Sequence, residues 1–366
     1  MSYSRGRLGW ALLCLAGCGS SAGTGRGSDA GAGASGGGAY SSGGHRGTGG
    51  FTGAGGSPLS SGAAAADAGS PLADAGFQPA PNTGTVHVAG RKSSCPAGPF
   101  PTPMVLSSKS VCTDFTFNNN FNEGPTWVAS QNAFFFSNYI VRSPTGGDMI
   151  KYTPGGTCEV FIQGVGCNGL AATGDGNIVA ACHQSRSVVY FDLATKQGTT
   201  IADQYMGTML DSVNDLVIHS NGSVYFTNTT YELGARPVGA GWGVFRIDPL
   251  GGISLVAQTQ CNGIALSPDE SKLYVLLAGV WDLDAQGVPS GMDAQATLRG
   301  DGMAVDCAGN LYTSGTIYDP QGQVIGQYAS PGGTNLAFGG PDGKTLLVAG
   351  MGLEVREIQM NLPGFP

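Results

Sequence analysis

From residue 121 onward, short apolar runs alternate with clusters of Gly, Asn, Asp, Ser and Pro, and apolar residues nowhere recur at helical spacing over a sustained window. Runs such as Val224-Tyr225-Phe226, Leu273-Tyr274-Val275 and Leu346-Leu347-Val348 each follow a turn-forming cluster (Ser220-Asn221-Gly222, Ser267-Pro268-Asp269, Gly340-Pro341-Asp342-Gly343). Each cluster is itself preceded by a shorter apolar run, which is the pattern of a hairpin. Third strands are expected at Met149–Tyr152, Val188–Phe191 and Val244–Ile247, and fourth strands at Glu159–Ile162 and Ile253–Val256. The openings of these units repeat six times: Glu123-Gly124, Asn168-Gly169, Asn214-Asp215, Asn262-Gly263, Asp301-Gly302 and Asn335-Leu336, spaced 34 to 48 residues apart. A strand-filled period of that size predicts an all-β chain: a six-bladed β-propeller of four-stranded blades, with a strand within Val105–Phe117 closing the last blade.

In such a fold the innermost strand of every blade begins at the same mouth of the channel. Glu123, Asn168, Asn214, Asn262, Asp301 and Asn335 are therefore expected to form a ring of oxygen-bearing side chains. Asn and Asp before Gly are also common turn formers, so the pattern alone leaves a purely structural reading open. Two features favour chemistry. The ring holds no Cys or His, which suits a hard cation such as Ca²⁺, Mg²⁺ or Mn²⁺. Glu123 and Asp301 would repel across one channel, and a cation removes that cost.

Composition changes the picture at the N-terminus. Arg5 and Arg7, the apolar run Leu8–Leu15 and the small residues Ala16-Gly17 before Cys18 read as an export signal over residues 1–18, too short to span a bilayer. Leu15-Ala16-Gly17-Cys18 resembles a lipobox, which implies lipidation at Cys18 and an exported, lipid-anchored protein of the outer membrane, periplasm or cell surface. The alternative is a plain secretory signal. Residues 19–90 are rich in Gly, Ser and Ala, a composition that cannot offset its ordering entropy, so a disordered tether is expected before a propeller over residues 91–366. Seven cysteines remain beyond Cys14 and Cys18, so at least one is unpaired; Cys167 with Cys182 across one hairpin, and Cys95 with Cys112, are the pairs expected. A formal charge of −8 with no basic cluster argues against a nucleic-acid partner.

The chain carries no Gly-x-Ser-x-Gly elbow, phosphate loop or His-Glu-x-x-His motif. Of the four histidines, His45 lies in the tether, His219 beside a turn is expected to be solvated, and His183 is either a strand-end residue or a substrate contact. Several motifs resemble the gluconolactonase / senescence marker protein (regucalcin) family: Glu123-Gly124-Pro125-Thr126-Trp127, Asn214-Asp215-Leu216-Val217, Asn262-Gly263-Ile264-Ala265, Asp301-Gly302-Met303-Ala304, Cys182-His183-x-x-Arg186-x-Val188 and the closing Asn361-Leu362-Pro363-Gly364-Phe365-Pro366. The resemblance covers roughly residues 120–366. It implies a six-bladed propeller with one divalent cation at the channel mouth, calcium by default with Mg²⁺, Mn²⁺ or Zn²⁺ as alternatives. It also implies hydrolysis of a small-molecule lactone or ester by a monomer that meets the membrane only through its anchor. By motif, the ligands fall on Glu123, Asn262 and Asp301, with Asn214 a ligand or substrate contact; Asn168 and His183 are further substrate-binding candidates, and Asp301 is the candidate catalytic base. The chain departs from the family at Ser212-Val213-Asn214, where sugar lactonases often carry Arg-x-Asn, and at Thr227-Asn228-Thr229-Thr230-Tyr231-Glu232, where others read Thr-Asp-Pro-Pro-Tyr-Gly. Both departures bear on the substrate. The alternatives are an organophosphate or aryl-ester hydrolase on the same site, and a non-enzymatic surface propeller that binds a ligand or partner.

Overall fold

The computed structural model describes residues 77–81, 86–92, 95–294, 299–330, 332–351 and 354–365. All lie in one compact unit, Gly69–Pro366. The export signal, Cys18 and most of the Gly-rich stretch fall outside the described residues.

Six antiparallel sheets follow one another along the chain. Blade 1 is Phe121–Val128, Ala133–Tyr139, Asp148–Tyr152 and Cys158–Ile162. Blades 2 and 3 repeat the plan from Leu170–Ala172 to Gln197–Ala202 and from Ser212–Ile218 to Ile253–Ala257. Blade 4 runs from Ile264–Leu266 to Pro289–Asp293, and blade 5 from Ala304–Asp306 to Val324–Gln327. Blade 6 takes Gly333–Gly339, Thr345–Gly350 and Val355–Met360 from the C-terminal end, and its fourth strand, Val105–Val111, from before blade 1. This is the expected six-bladed propeller, and the closing strand comes from the expected segment. Closure of this kind pairs first and last blades, which protects the edges an open array would expose.

The hydrophobic core is divided into six clusters, one between each pair of neighbouring blades. Phe135 and Met149 of blade 1 meet Ile178 and Phe191 of blade 2, while Phe134 and Ile150, on the other face of the same sheet, meet Leu347 of blade 6. The middle strands are thus sandwiched on both faces. This is why Ala133–Tyr139 and Ile178–Cys182 are buried throughout and show no in–out alternation.

Tertiary placement corrects three expectations. Cys167 and Cys182 do form a disulfide, but Cys95 bonds Cys307 and Cys112 bonds Cys158, leaving Cys261 free and buried. The strand Val105–Val111 docks on blade 6 and delivers Cys112 to the start of blade 1's outer strand, away from Cys95. Within the stretch read as tether, residues 77–81 and 86–92 lie on the propeller. Phe77 stacks on Phe191, Ala80 bridges Thr199 at the edge of blade 2, and Ala89 accepts a hydrogen bond from Gly174 N (2.7 Å). His219 is buried rather than solvated, its Nε2 3.6 Å from Glu270 of the next blade, because the neighbouring turn covers it.

Candidate active site

The inner strands converge on the axis through a shared backbone device. Gly169 N donates to Asn214 O (2.8 Å), Gly263 N to Asp301 O (2.8 Å) and Gly302 N to Thr334 O (2.6 Å), so the second residue of one opening is tied to the first residue of the next. Such close approach explains the repeated glycine better than turn geometry does. A Cβ on Gly169 would lie 2.4 Å from Asp215 Oδ1, and one on Gly302 would lie 2.1 Å from the Asn335 side chain.

This register defines two levels in the channel. The upper level holds Glu123, Asn168, Asn214, Asn262, Asp301 and, in blade 6, Thr334 rather than Asn335. The sequence pattern aligned blade 6 one residue too late, because Asn335 resembles the other openings while its predecessor does not. Asn335 instead shares the lower level with Asp215, and its Nδ2 donates to Asp215 Oδ2 across the axis (3.3 Å). Asp215 Oδ1 in turn accepts from Leu216 N (2.9 Å), and Asn335 Oδ1 from Leu336 N (2.8 Å). A cavity of about 100 Å³ lies along this lower level, lined in part by Asp215, Asn335 and Thr126. Asn335→Ala is expected to lower stability by about 1–3 kcal/mol, through the partner lost to a buried carboxyl, which denaturant melts would read.

The upper ring is acidic. Glu123 is buried and Asp301 half-buried, and desolvation pushes both carboxyls up, Asp301 to about 6. The Asp301 charge raises Glu123 further, while Thr334 and the Gly124 amide (N to Oε2, 3.0 Å) favour its ionised form. Asn262 Nδ2 donates to Asp301 Oδ1 at 2.8 Å. Burial also raises Asp215 and Glu232, each to about 7. Among the described residues no three His, Cys, Asp or Glu side chains form a metal cage. A cation here would draw on two carboxylates and on amide oxygens. The donor set fits one: the two carboxylates repel each other, and the groups that act most strongly on them include no Lys or Arg.

Other expected residues divide. Asn168 is buried at the ring and shares a hydrogen bond with the Tyr139 hydroxyl. His183 is fully buried, packed on the Tyr139 ring with centroids 4.9 Å apart, and burial pulls its imidazole down to about 3. Among the described residues neither ring nitrogen meets a partner at hydrogen-bond geometry, and the contact the imidazole makes is with the Tyr139 ring. Tyr139 and Glu232 escaped sequence reasoning. Both stand at the ends of second strands or just beyond, where no repeat marks them. The Glu232 carboxylate, which accepts from Ser212 Oγ (2.8 Å), and the carboxylates of Glu123 and Asp301 all act on the Tyr139 phenol, which burial holds well above its ordinary value.

Comparison with known proteins agrees with this architecture. Residues 121–351 match the family model described as the SMP-30/Gluconolactonase/LRE-like region. The chain belongs to that family. A gluconolactonase of Zymomonas mobilis is 32% identical over 271 residues, covering 63% of this chain and 76% of that protein. Among solved structures, a gluconolactonase from Xanthomonas campestris superposes with a TM-score of 0.61 at 24% identity, covering 73% of this chain and 99% of the other. A calcium-binding regucalcin from Agrobacterium tumefaciens gives 0.54 at 21% identity, covering 70% and 97%. These two likenesses speak to the family's fold, which the six sheets reproduce.

Proposed function

We propose that this protein is a lactonase that needs a divalent cation, calcium by default, at the upper ring. The observation that carries the reading is the convergence of Glu123 and Asp301 at one mouth of the channel, with Asn262 bonded to Asp301 and Asn214 heading the neighbouring blade. The relatives described as gluconolactonases and as calcium-binding support it. Glu123, Asp301, Asn262 and Asn214 would hold the cation, whose chemistry is that of a Lewis acid polarising the lactone carbonyl and balancing charge on its oxygen.

The chain's own groups do the rest. Asp301, ionised at neutral pH, takes a proton from water as the water oxygen bonds to the carbonyl carbon. The bond from that carbon to the ring oxygen then breaks, and the proton passes from Asp301 to the departing oxygen, leaving a hydroxy acid. Asn262 holds Asp301 in place through its 2.8 Å hydrogen bond. The Tyr139 hydroxyl stays protonated among the carboxylates and is a donor to substrate oxygen. Purified protein assayed on glucono-1,5-lactone and δ-valerolactone, with calcium and after exhaustive chelation, tests the reading. Turnover that chelation removes and calcium restores is expected. Full turnover after chelation would retain the lactonase and discard the cation, and no turnover on either lactone would discard the lactonase.

A further inference from the structure

We propose that the lactone taken by this site carries a hydrocarbon substituent, held against a wall that Tyr231, Trp242, Val238 and Met209 form on the third blade's side of the mouth. The proposal rests on the lactonase reading and names the substrate class within it.

Tyr231 adjoins the ring directly. It shares a hydrogen bond with Asn262, and the Asp301 carboxylate is near enough to act on its phenol. Its ring meets Trp242 edge-on, with centroids 4.9 Å apart at 83°. The indole Nε1 donates to Thr230 Oγ1 at 3.1 Å. Both polar handles are therefore engaged within the protein, and the surface these half-buried rings leave open is carbon.

Tyr231 and Trp242 stand near the two ends of the loop that joins the second and third strands of blade 3. Val238 on that loop is 65% exposed. Ala240 N donates to Met209 O (2.8 Å), which brings alongside it the small hairpin Gln204–Tyr205 with Thr208–Met209. Met209 is 52% exposed and Met206, at the hairpin's tip, 86%. Both segments lie on the mouth face, since the inner strands begin there and the second strands return to it.

The loop is held firmly. The buried Asp211 carboxylate forms an ion pair with Arg186 (2.9 Å) and accepts from Gly241 N (2.6 Å) and Gly239 N. Arg236 clasps His183 O and Gln184 O, both at 2.9 Å. A buried ion pair is a costly way to secure a loop, and here it fixes one that displays apolar side chains beside the site. Single exposed apolar residues need no explanation, but Val238 shares its loop with Tyr231 and Trp242, and Met209 is tied to that loop through Ala240. A polyhydroxylated lactone would find no hydrogen-bond partner on this wall, whereas each buried methylene contributes about 0.8 kcal/mol.

The test compares δ-valerolactone with δ-decalactone, which share the reacting ring and differ by a five-carbon chain. In calcium-loaded wild type, kcat/KM for δ-decalactone should exceed that for δ-valerolactone by at least about tenfold, mainly through KM. Val238→Asp, at an exposed position, and Trp242→Ala, checked for folding by its melt, should each bring that ratio down towards one. A wild-type ratio near one, or a high ratio that Val238→Asp leaves unaltered, would overturn the inference while the lactonase reading stood. If neither lactone nor glucono-1,5-lactone is hydrolysed, the lactonase reading falls and this inference falls with it.

Discussion

Glu123→Gln and Asp301→Asn are each expected to weaken calcium binding by at least about 100-fold, since cation affinity follows the number of ligand charges, and to abolish lactone hydrolysis. Neither variant should lose its fold. The blades cohere through six apolar clusters that include neither residue. Without a cation the variants should even melt somewhat higher than wild type, by a few degrees, because each removes one member of a like-charge carboxylate pair. That combination separates a metal site from a set of turn residues: loss of a structural turn residue lowers the melting temperature and leaves calorimetric calcium binding alone. Wild-type calcium affinity in both variants would return the ring to the structural reading.

The second large effect is on pH. Burial raises Glu123, Asp215, Glu232 and Asp301 above ordinary carboxyl values, Asp301 to about 6 and Asp215 and Glu232 to about 7. The folded protein thus holds protons that the unfolded chain releases, and stability falls as pH rises wherever that holds. In the absence of a cation, stability should be highest near pH 4–5 and decline up to about pH 7. The total decline should be several kcal/mol, at roughly 1.4 kcal/mol for each tenfold gain in a carboxyl's proton affinity on folding. Below about pH 4 the trend reverses, because groups such as Asp175, where hydrogen bonds led by that from Thr173 outweigh burial, lose their ionised form. Calcium should flatten the decline, so its stabilising effect is expected to be larger at pH 7.5 than at pH 5. Denaturant melts at both values, with calcium and with chelator, measure this. A calcium increment that is larger at pH 5 would contradict the placement of these carboxyls.

The residues that escaped sequence reasoning share a cause. Glu123, Asn214, Asn262 and Asp301 were legible because each blade repeats the same local plan, so equivalent positions could be aligned by eye. Thr334 was missed because a neighbouring Asn imitated the pattern. Asp215 was missed because strand alternation turns every second side chain away, and the irregular register between Val213 and Leu216 breaks that rule at the mouth. Tyr139 and Glu232 reach the ring from second strands and loops, where nothing repeats. The burial of His183 and its packing on Tyr139 were equally out of reach, because they depend on a strand of the neighbouring blade.

The sequence by itself determined the architecture: period, strand runs and turn clusters are local, and a propeller is a sum of local units closed on itself. It also determined the oxygen-only character of the ring, since residue type is independent of fold. Tertiary structure alone decided which cysteines meet, which of two polar residues heads blade 6, and how Asp215 comes to face Asn335 from 120 residues away. The physical reason is the same each time. Contacts across the axis and between first and last blades are made by segments far apart in the chain, and their energy depends on burial and register that no local pattern encodes.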